Sequence, residues 1–208
     1  MSDTGTRIFL PARRTTKARL SGEKRHQQLL EMARAIVKEE GPAALTLIRL
    51  AERAGVTKPI AYRHFRTREA LLVALYREFD DRQTEAMRSA LSEGTQSAQM
   101  MASIVAAAYV DCTLAAGVEI GWLIGALQTT PELQSFLEEC RERHHKVLEQ
   151  ALSPYTKGVV ARTSTTAVLG AADALSAAAA MGAVDREAAI ECLQRIIQAM
   201  IPGSEFSE

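Results

Sequence analysis

An all-α fold in two unequal parts is predicted by three features of the chain: apolar residues recur at three- and four-residue spacing, Ser, Thr and Gly punctuate those runs where helices begin and end, and no strand-type alternation or internal repeat is evident. Ser21 can cap a helix over about Gly22 to Glu40, with Leu29, Ala33, Ile36 and Val37 on one face, and Gly41-Pro42 stops it. Thr46 offers a cap for a short helix, Leu47 to Ala54, and Gly55 suits the left-handed position that ends one. Thr57 then caps a third helix of barely two turns, with Lys58 and Pro59 in its first turn, where proline costs little. Thr67 caps a fourth that runs to about Leu91 with Leu71, Leu72, Leu75 and Phe79 at helical spacing.

Beyond "SEGTQS" the character changes, because from Ala98 to Ala116 the only ionisable side chains are Tyr109, Asp111 and Cys112. A helix apolar all round is a buried one. A short segment, Val118 to Leu127, follows Gly117, and Pro131 starts a charge-rich helix predicted to be largely exposed, which "SPYTKG" breaks. From Val159 to Met181 nearly every residue is Ala, Ser, Thr, Val or Gly, and from Arg186 to Ile201 one face carries Ile190, Leu193, Ile197 and Met200. Small side chains let helices approach closely, so this last pair suits a subunit interface.

With 47% apolar and 24% charged residues, the 208-residue chain is globular and core-forming. Its zero net charge hides an asymmetry. Residues 1–68 hold 15 of the 25 Lys and Arg and 6 of the 25 Asp and Glu, a net +9, and residues 69–208 carry the compensating −9. A basic first third predicts an anionic partner, and the acidic remainder excludes a protein that adheres to polyanions everywhere. The opening apolar run is too short for a secretory signal, no long uncharged stretch has membrane-type flanks, and a cytoplasmic protein is expected. Cys112, Cys140 and Cys192 are odd in number and widely spaced, which predicts reduced thiols, and no metal-ligand spacing or cofactor motif appears. Enzymatic chemistry has little support either. Cys112 has no nearby histidine, and His144 and His145 are adjacent, so they point to different faces of a helix expected to be exposed.

Two short helices joined at Gly55 and braced by a longer one make a helix-turn-helix, whose second helix fits the DNA major groove. Its leading residues are Thr57, Lys58, Pro59 and Tyr62. Lys58 can donate to guanine O6 and N7, the Pro59 ring can touch a thymine methyl, and Tyr62 with His64 can reach phosphates at the groove edge. The ordinary alternative is that Tyr62 and His64 pack on the fourth helix while Lys58 and Arg63 are merely solvated. Arg68 stands in the first turn of its helix, where a cation opposes the helix dipole by roughly 0.3–1 kcal/mol. A bound phosphate would reverse that sign. Thr46 presents a similar helix start, compatible with both a simple cap and a phosphate contact.

The stretch "GPAALTLIRLAERAGVTKPIAYRHFRTREALLVAL", Gly41 to Leu75, resembles the DNA-binding signature of TetR-family transcriptional regulators: Ala-Gly-Val-Thr at the turn, Tyr-x-His-Phe closing the recognition helix, then a basic residue and Glu-Ala-Leu. The resemblance covers about residues 22–75. It implies backbone contacts at Thr46, Tyr62, His64 and Arg68 and base contacts at Thr57, Lys58, Pro59 and Tyr62, with arginine at 68 where lysine is commoner. It further implies a repressor that binds a palindromic duplex as a homodimer through its last two helices and is released by a small-molecule effector. The basic, aperiodic residues 1–20 read as a flexible arm longer than the family's minimum, which can add a minor-groove contact through Arg13, Arg14 and Lys17; residues 21–67 are then the DNA-binding domain and residues 68–208 the effector and dimerisation domain. Effector candidates are Tyr109, Asp111, Trp122 and Gln128. Asp111 lies on a stripe with Ile104, Ala108 and Ala115, and a buried carboxylate there needs a ligand, an internal arginine such as Arg162, or water. Asp173, isolated among alanines, suits an intersubunit hydrogen bond. The rival reading is a helix-turn-helix protein of the same fold that answers to no small ligand.

Overall fold

The computed structural model describes residues 21–92, 97–156 and 158–201, so the arm residues Arg13, Arg14 and Lys17 lie outside it. Among the described residues every regular element is a helix: α1 (Gly22–Glu40), α2 (Leu47–Arg53), α3 (Lys58–His64), α4 (Arg68–Ser92), α5 (Ala98–Ala116), α6 (Glu119–Leu127), α7 (Pro131–Leu152), α8 (Arg162–Ala180) and α9 (Arg186–Ala199). The expected punctuation appears at most boundaries. The hydroxyls of Ser21, Thr46 and Thr67 accept capping bonds from the amides of Lys24, Arg49 and Ala70. Gly55 takes φ +62°, a conformation that costs a side chain about 1 kcal/mol or more and that lets the chain turn from α2 into α3. Thr57 differs: it occupies the N-cap position of α3, yet its hydroxyl makes no capping bond.

Two apolar clusters hold the molecule together. The first runs from Leu29, Ala33 and Ile36 of α1 through Leu50 and Phe65 to Leu71, Leu72, Leu75 and Phe79 of α4, and continues into Ile120, Leu127 and Phe136. The second joins Met101, Val105 and Val110 of α5 to Leu148, Val168, Leu169, Leu193 and Ile197. Helix α4 is therefore a wall of both the small N-terminal bundle and the larger body. Helix α5 has the length and mean hydropathy, 1.3, of a membrane span. Its place is the centre of the body, packed by α4, α8 and α9.

Helix α7 departs from expectation. Its charges suggested an exposed helix, but Leu133, Phe136, Cys140, His144, His145, Val147 and Leu148 are all buried. His145 meets Thr165 Oγ1 at 2.7 Å, and burial pulls its pKa below the ordinary value. His144 turns the other way, towards Asp80 of α4, which has no exposure at all. Arg143 donates to Asp80 Oδ2, and His144 Nε2 lies 3.2 Å from Oδ1, close enough for attraction but off the hydrogen-bond axis. Burial alone would raise the Asp80 carboxyl; His144 and Arg143 outweigh it and hold its pKa below the ordinary 3.8.

Asp80→Ala therefore strands the Arg143 guanidinium and leaves the buried His144 without its neighbour, and because Arg143 stays 40% exposed and can rehydrate, the expected cost is at the low end for a broken buried pair, about 3 kcal/mol. The folded pKa lies below the unfolded one, so this stabilisation is full above 3.8 and is lost as the pH falls through the folded value. Denaturant titrations of the two proteins are expected to differ most at neutral pH and to converge in strong acid.

Candidate nucleic-acid interface and effector cavity

Helix α3 buries one side and offers the other. Ala61 is fully buried, as is Phe65 just past the helix end, whereas Thr57, Lys58, Pro59 and Tyr62 are exposed, Tyr62 at 46%. Positions 58, 59 and 62 share one face by helical spacing, so a cation, an apolar ring and a phenol point the same way. Lys58, Arg63 and Arg66 form no ion pair among the described residues. The arginines of α2 are differently occupied. Arg49 grips Glu40 with two bonds of 2.9 and 3.0 Å, and Arg53 reaches Glu39 at 2.6 Å. The positive charge of the N-terminal bundle is thus neutralised on the α1–α2 side and left open around α3.

Two expected phosphate contacts are placed otherwise. Arg68 does not stand free at the start of α4: its Nε donates to Leu45 O at 2.8 Å and Nη2 to Pro42 O at 3.0 Å. Those carbonyls belong to the 3-10 turn Pro42–Ala44 and the residue after it, so the arginine ties α4 to the connection between α1 and α2 and offsets the unfavourable dipole. His64 turns inward, its ring 5.8 Å from His26 of α1, with Nε2 buried and unpartnered among the described residues, and burial lowers its pKa. It packs on α1, not on α4. Thr46 caps α2 and remains exposed. Neither Arg68 nor His64 could be oriented by spacing alone, because each is held by a residue more than 20 positions away.

A cavity of about 270 Å³ opens between α4, α5, α6, α7 and α8, lined by Tyr76, Tyr109, Gln128, Arg141, His144 and Asp173 among others. A second, of about 380 Å³, shares Tyr76, Tyr109, Ile124, Arg141 and Asp173 with it and extends past Phe79, Ile120 and Trp122 to Ala177 and Met181. Taken together, these neighbouring spaces are polar at one end and apolar at the other. Tyr109 donates to Asp173 Oδ1 at 2.5 Å, and Arg141 reaches Oδ2 at 2.8 Å. Burial, then the adjacent carboxylate, push the Tyr109 phenol well above its ordinary pKa. Asp173 is thus satisfied within the chain, where an intersubunit bond was expected.

Of the effector candidates, Tyr109, Trp122 and Gln128 border this space and Asp111 does not. Its stripe on α5 is only half covered. Ile104, Ala108 and Asp111 are partly exposed and Ala115 is open, because α9 crosses one flank alone. Arg186 of α9 crosses that flank with bonds of 2.5 and 2.6 Å to the Asp111 carboxylate, while Arg162, the expected partner, pairs with Glu142. Missed from the sequence were Tyr76, Gln134, Leu137, Glu138, Arg141 and His144. Positions 134, 137, 138, 141 and 144 form one α7 face, a signal hidden by the reading of α7 as exposed.

The family described as "bacterial regulatory proteins, tetR family" matches residues 29–75, from within α1 to the first third of α4. The chain is 33% identical over 89 residues to the HTH-type transcriptional activator FasR of Mycolicibacterium smegmatis, a stretch that spans 43% of this chain and only 41% of that relative. The crystal structure of a putative transcriptional regulator of Pseudomonas aeruginosa PAO1 is similar with a TM-score of 0.77 at 15% identity, covering 89% of this chain and 94% of that one. That of the regulator FadR of Bacillus subtilis, in complex with stearoyl-CoA, has a TM-score of 0.69 at 17% identity and covers 86% and 100%. Residues 29–75 thus carry the DNA-binding signature of the tetR family of bacterial regulatory proteins, and the helical body behind them shares its fold with these solved structures.

Proposed function

We propose that the protein is a cytoplasmic DNA-binding transcriptional repressor that seats one α3 in each half-site of a palindromic operator as a homodimer and is released by a small, largely apolar effector. The observation that carries the DNA reading is the outward face of α3, where Thr57, Lys58, Pro59 and Tyr62 stand clear of the fold beside unneutralised Arg63 and Arg66. Lys58 reads a guanine, and Arg63 and Arg66 join the exposed Thr46 in holding phosphates. Arg68 acts from behind, by fixing the start of α4, and Arg13, Arg14 and Lys17 supply a minor-groove arm. One helix of seven residues reads too few base pairs for useful specificity, which calls for a second copy.

Helices α8 and α9 support the dimer. Thr163, Thr166, Ala167, Gly170, Ala174 and Ala177 are exposed on α8 and recur at helical spacing, a strip of small side chains against which a second α8 can lie closely. The apolar end of the effector cavity, with Phe79, Ile120, Ile124 and Met181, suits a hydrocarbon chain, and the FadR relative holds one in stearoyl-CoA. That cavity favours an effector-responsive regulator over the ligand-independent rival.

Lys58→Ala is expected to lose about 1–3 kcal/mol on specific DNA and to relax preference at one position per half-site, whereas Arg66→Ala weakens all sequences alike and reduces the salt slope. Gel-shift titrations against operator and random duplex separate the two, and equal losses for Lys58→Ala on both would remove it from base reading. Ala174→Glu places like charges across the two-fold axis and is expected to give a helical monomer with weak operator binding; a stable dimer in sedimentation would exclude the α8 strip. A compound that raises Tm through the cavity is expected to weaken operator affinity, and operator to weaken the compound's affinity by the same factor. Unchanged operator affinity at saturation would favour the rival.

A further inference from the structure

Between the N-terminal bundle and the body lies a cleft of about 460 Å³, separate from the polar end of the effector cavity and bordered by α1, α4, the end of α5 and α6. Its floor is apolar: Leu72, Leu75, Phe79 and Ile120 are each less than one tenth exposed. Its walls carry Arg34 and Lys38 from α1, Arg82 from α4 and a single carboxylate, Glu119 of α6. Arg34 is paired with Glu78 at 2.5 Å. Among the described residues neither Lys38 nor Arg82 has an acidic partner, and Arg82 donates to the carbonyl of Glu78 on its own helix, at 3.2 Å. Two uncompensated cations thus face one carboxylate across an apolar floor.

From this arrangement we infer that the cleft is a binding site for an amphipathic anion, a molecule with a hydrocarbon body and one carboxylate or phosphate head. The body covers Leu72, Leu75 and Phe79, which gains the free energy of removing apolar surface from water, and the head lies between Lys38 and Arg82. The volume is within the range that small-molecule sites occupy. Neutral molecules of the same length lose the charge contacts, and cations are repelled. Because Lys38 belongs to α1 and Arg82 to α4, a bound anion bridges the DNA-binding bundle and the body and resists a change in the angle between them. This site goes beyond the effector cavity and stands without it, although Phe79, Gly117 and Ile120 border both spaces.

The test uses the full chain and calorimetric titration with decyl phosphate, decanoate and decanol. Lys38 and Arg82 are exposed, so Lys38→Ala/Arg82→Ala folds, which circular dichroism checks. Wild type is expected to bind at least one of the two anions at least tenfold more tightly than decanol; binding of both marks a general anionic head, and of decyl phosphate alone a phosphate head. The double variant is expected to lose at least tenfold on the anion that binds, with decanol unchanged, and Tyr109→Phe in the effector cavity to leave its affinity as in wild type. The inference is overturned if neither anion binds, if decanol binds as tightly as the anions, if the double variant matches wild type, or if Tyr109→Phe loses as much as the double variant. Operator affinity does not enter this measurement, so its failure leaves the DNA-binding reading where it stands.

Discussion

The charged contact between Asp80 and the pair Arg143–His144 constrains the whole molecule, because it fixes the one helix that both halves share. Asp80 sits near the middle of the 25-residue α4, with no exposure, and both partners come from α7. An ionised carboxylate in that position would be expelled or neutralised without them. Its presence therefore sets the rotation of α4 about its own axis. Leu71, Leu72 and Leu75 are turned to α1 and the bundle, and Tyr76, Phe79 and Gln83 to the cavities of the body. Apolar packing alone tolerates sliding and rotation, because it is non-directional; a buried ion pair with two partners does not.

Electrostatics also corrects the simplest account of the basic N-terminal third. A net +9 over residues 1–68 suggests a uniformly positive module, yet Arg49 and Arg53 are taken by Glu39 and Glu40, and Arg68 by backbone carbonyls. What remains around α3 is a smaller, directional charge. A field confined to one face can hold a polyanion in one orientation, which a uniformly charged surface cannot do. The same pairs stiffen the bundle, since α1 and α2 are joined by charge on their outer side as well as by the apolar contacts of Ile36, Leu47 and Leu50 within.

Most helix boundaries were legible in the sequence because they depend on local chemistry. A hydroxyl three residues before an amide, as at Ser21, Thr46 and Thr67, or a glycine at positive φ, as at Gly41, Gly55 and Gly117, needs no distant residue to act. The exposed face of α3 was legible for the same reason. The failures have the opposite origin. His144, Asp111, Asp173 and Arg68 are each fixed by a side chain or carbonyl more than 20 residues away, and linear spacing carries no information about such partners. Helix α7 was misread because charge density predicts exposure on average, whereas here Arg141 and Arg143 lie over its buried face and spend their charge on Asp173 and Asp80.

The two kinds of information meet at α4. Its first turn is held by Arg68 against the α1–α2 connection, its middle is clamped by Asp80, and between them Tyr76 borders the effector cavity, Leu75 the cleft and Phe79 both. A ligand that displaces Tyr76 or Phe79 pushes on a helix whose middle cannot rotate without breaking a buried ion pair. The displacement is then relieved at the free end of the lever, in the bundle that carries α3. On the proposed switching model, rigidity at Asp80 would turn a local shift into a change in the position of α3, limited to what the ligand's preference between the two arrangements can supply.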